Sequence, residues 1–228
     1  MTNRFNRINS LLGDVAMEKL KKATVMVVGC GAVGSFVAES LARSGVGHIV
    51  LVDFDVVEES NINRQLFALE STIGMPKVDV AAARILDINP DVTIVPINTF
   101  FDAGSDFDVQ PNFVIDAIDT VESKIALYKW CVARNIPFAA SMGAALKTDV
   151  SQIRTGRISK TSVCPLASRV RKMVRDAGLP DFPVVYSLET PNKTAATSCR
   201  VFGSIITITG SFGLRLADIA IKHLISDL

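Results

Sequence analysis

Thr24-Val25-Met26-Val27-Val28-Gly29-Cys30-Gly31-Ala32-Val33-Gly34 is the stretch on which the fold turns. Its first half is an apolar, β-rich run that stops at glycines, the pattern of a parallel strand buried on both faces. Residues 33–44 then read as a helix closed by Gly45. A GxGxxG loop between strand and helix offers backbone N–H groups and the helix dipole to a phosphate. Working outward, residues 49–52 read as a second strand ending at Asp53, nineteen residues past Gly34, where a carboxylate can accept bonds from ribose hydroxyls. Pro76 opens a helix to about residue 89. Strands at 92–97, 113–118 and 138–140 and a helix at 122–134 follow. This alternation predicts an α/β fold: a doubly wound, mainly parallel Rossmann-like sheet with a loop-rich C-terminal extension. Within that extension, residues 166–176 suit a short basic helix. Residues 202–225 read both ways, since Ile205 to Thr209 have strand propensity while Leu214, Leu216, Ile219, Ala220 and His223 suit a helix.

With 228 residues, 49% of them hydrophobic, the chain can bury a sizeable core. The first ten residues carry Arg4 and Arg7 without a following apolar stretch, unlike a secretory signal. The apolar run 201–228 is interrupted by Arg215, Asp218 and Lys222, unlike a membrane span, so a soluble cytoplasmic protein is expected. Cys30, Cys131, Cys164 and Cys199 form no CxxC pair and the histidines are only His48 and His223, which argues against structural zinc. Cys30 and Cys131 read as small buried residues. Net charge is +1, but residues 147–175 hold eight basic side chains (Lys147, Arg154, Arg157, Lys160, Arg169, Arg171, Lys172, Arg175) and one acid, Asp149, so this segment is +7 and the remainder −6. On charge alone, a polyanionic partner and a solvated helix face remain equal readings.

The glycine loop and Asp53 specify a nucleotide without choosing between NAD and ATP. Arg64, in Asn61-Ile62-Asn63-Arg64-Gln65, and Lys77, after Gly74-Met75-Pro76, favour a triphosphate, because nicotinamide needs an uncharged pocket. Asp116-Ala117-Ile118-Asp119 at a strand's carboxyl end supplies a carboxylate that can hold magnesium.

Arg4-Phe5-Asn6-Arg7, GCGAVGS at 29–35, LVDFD at 51–55, NINRQ at 61–65, GMPK at 74–77, INP at 88–90 and DAID at 116–119 occur in this order. The chain thereby resembles the ThiF/MoeB/HesA superfamily, bacterial relatives of ubiquitin-activating enzymes, continuously over residues 4–143. The resemblance implies ATP-dependent adenylylation of a carboxylate. It places Gly29, Gly31, Ala32, Gly34, Asp53, Asp55, Asn61, Asn63, Arg64, Gln65, Lys77, Asp119 and Thr120 around ATP, with Asp119 on Mg2+ and Arg64, Lys77 and Asp119 as catalytic groups. Arg7 resembles an arginine that the family inserts into the neighbouring protomer's site, which implies a homodimer. Residues 1–143 would form the adenylation region and 144–228 the basic substrate-binding region of the same domain.

The C-terminal third narrows the resemblance. Ser141-Met142-Gly143-Ala144, residues 158–167 around Cys164 and Val184-Val185-Tyr186-Ser187 before Glu189 are similar to the TcdA (CsdL) branch, the tRNA threonylcarbamoyladenosine dehydratases. That implies a tRNA substrate, docked on the eight basic residues above, and leaves room for a sulfurtransferase-type protein partner. Activation of a ubiquitin-like sulfur carrier is the alternative, disfavoured by the missing zinc cysteines. A nicotinamide-dependent oxidoreductase or NAD sensor is a third, to which Arg64, Lys77 and Asp119 are poorly suited. Cys164 would be a nucleophile only in a thioester-forming activator.

Overall fold

The computed structural model describes residues 3–192 and 202–226. Its centre is a seven-stranded sheet in the order β3-β2-β1-β4-β5-β7-β6. The strands are β1 (Thr24–Val28), β2 (His48–Asp53), β3 (Thr93–Asn98), β4 (Phe113–Asp116), β5 (Phe138–Ser141), β6 (Ile153–Arg157) and β7 (Pro183–Ser187). All neighbours pair parallel except β6 with β7. The chain winds from β1 out to β3, returns to β4 beside β1, and continues the other way. The carboxyl ends of β1 and β4 therefore flank the crevice where open α/β sheets bind ligands.

Successive β1 side chains feed two cores. Val25 and Val27 pack on one face with Val37, Leu41, Ile85, Phe212 and Leu216. Met26 and Val28 pack on the other with Leu127, Tyr128, Ala167 and Val170. A strand covered on both sides has no polar face, which is why the Thr24–Val28 run is continuously apolar. The helices are α1 (Asn6–Leu12), α2 (Asp14–Lys22), α3 (Gly34–Arg43), α4 (Lys77–Ile88), α5 (Val121–Ala133), α6 (Pro165–Asp176) and α7 (Ile206–Ile225).

Three regions go beyond the sequence reading. The N-terminal segment forms α1 and α2, broken at Gly13 (φ 83), and α2 buries Ala16, Met17 and Leu20 between exposed lysines. The loop-rich extension contributes β7 and β6, so the sheet continues through the basic segment. Pro183 opens β7, where a missing N–H is tolerated, and the arginines of β6 stand on the sheet's outer edge. The ambiguous tail is the helix α7, despite its β-branched start. Gly210 and Gly213 let α3 lie close, since a Cβ at Gly213 would sit 2.6 Å from the Val33 carbonyl and 2.7 Å from Phe36 Cβ, and this packing overrides strand propensity. The strand expected at 113–118 stops at Asp116; the rest is a turn. Cys199 lies outside the described residues. No described helix is long and apolar enough to cross a membrane.

Candidate active site

The glycine loop leaves β1 at Gly29, whose φ of 95 belongs to glycine and whose Cα is so close to β4 that a Cβ would lie 2.7 Å from the Ala117 carbonyl. Past it, the N–H groups of Gly31, Ala32 and Val33 have no acceptor among the described residues, and α3 begins at Gly34. Such free donors at a helix start form an anion site. Asp53, at the end of β2, binds this loop: Oδ2 accepts the Cys30 N–H at 2.6 Å and Oδ1 the Asp55 N–H at 2.9 Å. Each oxygen keeps a lone pair for a ribose hydroxyl. Cys30 is buried, and burial followed by the Asp53 charge pushes its thiol well up, so it is inert packing, as is buried Cys131, whose thiol burial also raises.

Lys77 is the first residue of α4, only 6% exposed, with Nζ 2.7 Å from Asp55 Oδ2. An ammonium at a helix N-terminus opposes the dipole, so the arrangement is unfavourable until an anion more strongly negative than one half-exposed carboxylate arrives. Gln65 is 7% exposed and its amide reaches toward Gly31, with Nε2 3.8 Å from where a Cβ there would be, yet it bonds no described residue. An amide that bonds no described residue beside free backbone N–H groups suits a ligand oxygen between them. Arg64 lies in the same segment, its guanidinium resting on the Ser60 carbonyl and Asn63 Oδ1. Asn61 is spent on its own turn, accepting from the Glu58 N–H and donating to Ser60.

Across the glycine loop, the turn after β4 carries Asp119, exposed and in no ion pair, with Thr120 donating to it at 3.3 Å as the first residue before α5. Of the two DAID carboxylates, Asp119 alone is free for a metal. Asp116 is fully buried, paired with Lys124 Nζ at 2.8 Å and accepting from Tyr128 at 2.5 Å. Sequence reasoning missed this cluster, although a lysine and a tyrosine four apart, flanking the apolar run Ile125 to Leu127, are its trace. No group of three metal-ligating side chains occurs among the described residues. One carboxylate plus substrate phosphates is nevertheless the usual magnesium arrangement, so Asp119 fits.

The remaining expected residues divide. Arg7 is exposed on α1, next to Arg4, which bonds the Ile88 carbonyl at the far end of α4, and to Phe5, which packs at Gly45 beyond α3. The length of α3, roughly 15 Å, separates it from its own glycine loop. Of the basic set, Lys147 is a correction: it is 3% exposed and donates to the Glu189 carbonyl at 2.8 Å, so it is part of the interior, not a docking surface. Arg171 is half-buried against Thr161, and Arg157 is paired with Asp181, so both are structurally committed. Arg154, Lys160, Arg169, Lys172 and Arg175 are exposed. Cys164 is buried at the N-terminal cap of α6, its Sγ accepting the Ala167 N–H. A cavity of about 930 Å³ lies elsewhere, beneath the amino ends of β4 and β5 around Asp106, Asn112, Arg134 and Pro137.

A model of the ThiF family matches residues 5–227. The chain belongs to the ThiF family. Within it, the chain is 47% identical over 195 residues to the tRNA threonylcarbamoyladenosine dehydratase of Bacillus subtilis, spanning 84% of this chain and 77% of that protein. It is 35% identical over 243 residues to the enzyme of that name from Haemophilus influenzae, spanning 97% and 93%. The crystal structure of E. coli tRNA N6-threonylcarbamoyladenosine dehydratase, TcdA, in complex with ATP superposes with a TM-score of 0.90 at 33% identity, covering 98% of this chain and 94% of that one. In this ThiF-family chain, then, the free backbone donors of the glycine loop are flanked by the buried cation Lys77, the amide of Gln65 and, across the loop, the carboxylate Asp119 in no ion pair.

Proposed function

We propose that this ThiF-family protein is an ATP-dependent tRNA threonylcarbamoyladenosine dehydratase. The threonyl carboxylate of the modified adenosine attacks the α-phosphorus of ATP and pyrophosphate leaves. The neighbouring carbamoyl oxygen then attacks the activated acyl carbon, AMP leaves, and loss of a urea proton gives the cyclic oxazolone. No enzyme nucleophile is required, so Cys164 need only pack. The protein's task is to bring two anions together, which the glycine-loop N–H groups, Lys77, Arg64 and Gln65 do by offsetting phosphate charge. Mg2+ held by Asp119 would add charge neutralisation on the phosphates. The observation that carries this reading is the buried Lys77 ammonium at the start of α4 beside the free N–H groups of the glycine loop, in a chain aligned nearly end to end with a dehydratase.

Arg7 cannot reach its own glycine loop, so any part it takes in catalysis is through a homodimer, in the partner's site. For tRNA we propose the exposed residues Lys160, Arg169 and Lys172, which form no ion pair among the described residues, together with the exposed Arg154 and Arg175. The sulfur-carrier alternative is disfavoured because the chain has no CxxC pair. Nucleoside mass spectrometry of tRNA incubated with the protein and ATP tests the function: loss of one water from threonylcarbamoyladenosine is expected. A sulfur carrier adenylated at its C-terminal glycine, with tRNA untouched, would replace it.

A further inference from the structure

Asp116, Lys124 and Tyr128 are buried together beneath the turn that carries Asp119. Lys124 Nζ donates to Asp116 Oδ2 at 2.8 Å and to the Ser141 carbonyl at 2.7 Å, and neither side chain of the ion pair is exposed at all. Tyr128 donates to the same Asp116 oxygen at 2.5 Å, and the Ile118 N–H to the other at 2.9 Å. A buried ion pair is a poor means of joining a strand to a helix, because apolar side chains of similar volume usually do so as well or better without the desolvation cost. What apolar side chains cannot do is hold two polar backbone groups. Here the groups held are the Ile118 amide and the Ser141 carbonyl, at the carboxyl ends of adjacent strands β4 and β5.

Between Asp116 and Ile118 stands Ala117, which is locked to the glycine loop. Its N–H donates to the Val28 carbonyl at 2.8 Å, its carbonyl closes on Gly29, and its Cβ lies 3.3 Å from where a Cβ on Gly34 would be. Lys124 also donates its own N–H to the Thr120 carbonyl, so the residue that grips Asp116 stands one turn inside α5 from the far end of the same turn. Both ends of residues 117–120 are thus fixed to one buried cluster.

We propose that Lys124 and Tyr128, acting through Asp116, are positioning residues that hold the 117–120 turn, and with it Asp119, at a fixed aim toward the glycine loop. Neither touches substrate. The proposal rests on the ATP chemistry above, so the wild-type protein is first assayed for AMP release from ATP with tRNA carrying threonylcarbamoyladenosine; a folded protein that releases none refutes that chemistry and leaves the clamp to be judged by hydrogen exchange alone. Two variants are then compared with wild type: Asp116→Leu with Lys124→Met, and Tyr128→Phe. Melting temperature, amide exchange of residues 117–120 without nucleotide, Mg·ATP binding by calorimetry, and kcat and KM are measured. In the double variant, which leaves the Ile118 N–H, the Ser141 carbonyl and the Tyr128 hydroxyl without these partners, we expect a lowered melting temperature, exchange across 117–120 accelerated more than in the rest of the sheet, and kcat lower by about 100-fold, as for small misplacement of a reacting group, with KM for tRNA unchanged. A folded double variant with wild-type exchange and kcat overturns the proposal, because packing alone would then explain the cluster. Should the double variant fail to fold, Tyr128→Phe decides: faster exchange and a several-fold loss of kcat at wild-type melting temperature support the clamp, and wild-type values of both overturn it.

Discussion

Lys77 and Gln65 are both buried beside the glycine loop but in opposite states of satisfaction, and their replacements should differ accordingly. Lys77 is paired with Asp55, so Lys77→Ala removes a charge from the anion site and leaves a carboxylate behind to repel phosphate. It should lose about 2–4 kcal/mol of transition-state stabilisation, the cost of deleting one charge-stabilising donor, read from kcat/KM. Arg64→Ala should lose a similar amount. Gln65 bonds no described residue, so Gln65→Leu should leave the melting temperature unchanged while weakening ATP binding in a calorimetric titration. If Gln65→Leu instead lowers the melting temperature and leaves ATP affinity alone, the amide is packing and not ligand contact. Arg64 and Lys77 could be proposed from sequence because cations beside a glycine loop suit a triphosphate, and Gln65 only through the family resemblance. The pairing of Asp116 could not be, because the residues that neutralise it lie a turn apart on α5 and face it only once β4 and α5 have packed.

At the scale of elements, α6 shows why a charge run must be sorted by position. Arg169 and Lys172 stand on its exposed side, whereas the Arg171 guanidinium caps the Thr161 carbonyl and hydroxyl. Arg169→Glu with Lys172→Glu should weaken tRNA binding and flatten its salt dependence, since each lost phosphate contact removes about 0.9 from the slope of log affinity against log salt on a duplex. ATP affinity should be unchanged. Arg171→Glu should lower the melting temperature instead; equal effects of both on tRNA binding alone would contradict the sorting. Beside it, the Glu189 carboxylate accepts the Thr148 and Asp149 N–H groups and so joins the end of β7 to the 147–149 loop. Burial would raise its carboxyl, but the Asp149 and Thr148 N–H groups and the Thr148 hydroxyl outweigh burial and hold it below the usual value. A lowered folded pKa means the ionised form is favoured by folding. Its contribution is complete above the unfolded glutamate pKa, about 4.3, and is lost as pH falls through the lower folded value. The stability gap between wild type and Glu189→Gln should therefore be flat near neutrality and shrink below about pH 4; a gap independent of pH would show that charge has no part. The strands β1, β2, β4 and β5 could be read from sequence because two-sided burial prints continuous apolar runs. β6 could not, since Ile153 is its one fully buried residue and the strand exists only by pairing with β7.

For the whole molecule, the separation of Arg7 from its own glycine loop makes assembly testable. Mixing Arg7→Ala protein with Asp119→Asn protein should restore part of the activity, because a mixed dimer can assemble one site with both groups intact. No recovery, with subunit exchange confirmed, would remove Arg7 from action across an interface. The contact of α7 with α3 reaches further still. Val33 belongs to the glycine loop, and its carbonyl faces Gly213, more than two-thirds of the chain later. During translation all seven strands leave the ribosome before α7 does. The nascent sheet must therefore wait with Val25, Val27, Ile49 and Ile115 uncovered on the face that Phe212 and Leu216 will close. Exposed apolar strands at that stage are the condition under which chains misassociate or engage chaperones. The phosphate-binding loop is among the first pieces synthesised and among the last to acquire its support, so premature termination between Thr120 and α7 yields a chain that carries every nucleotide motif and has no finished place to hold one.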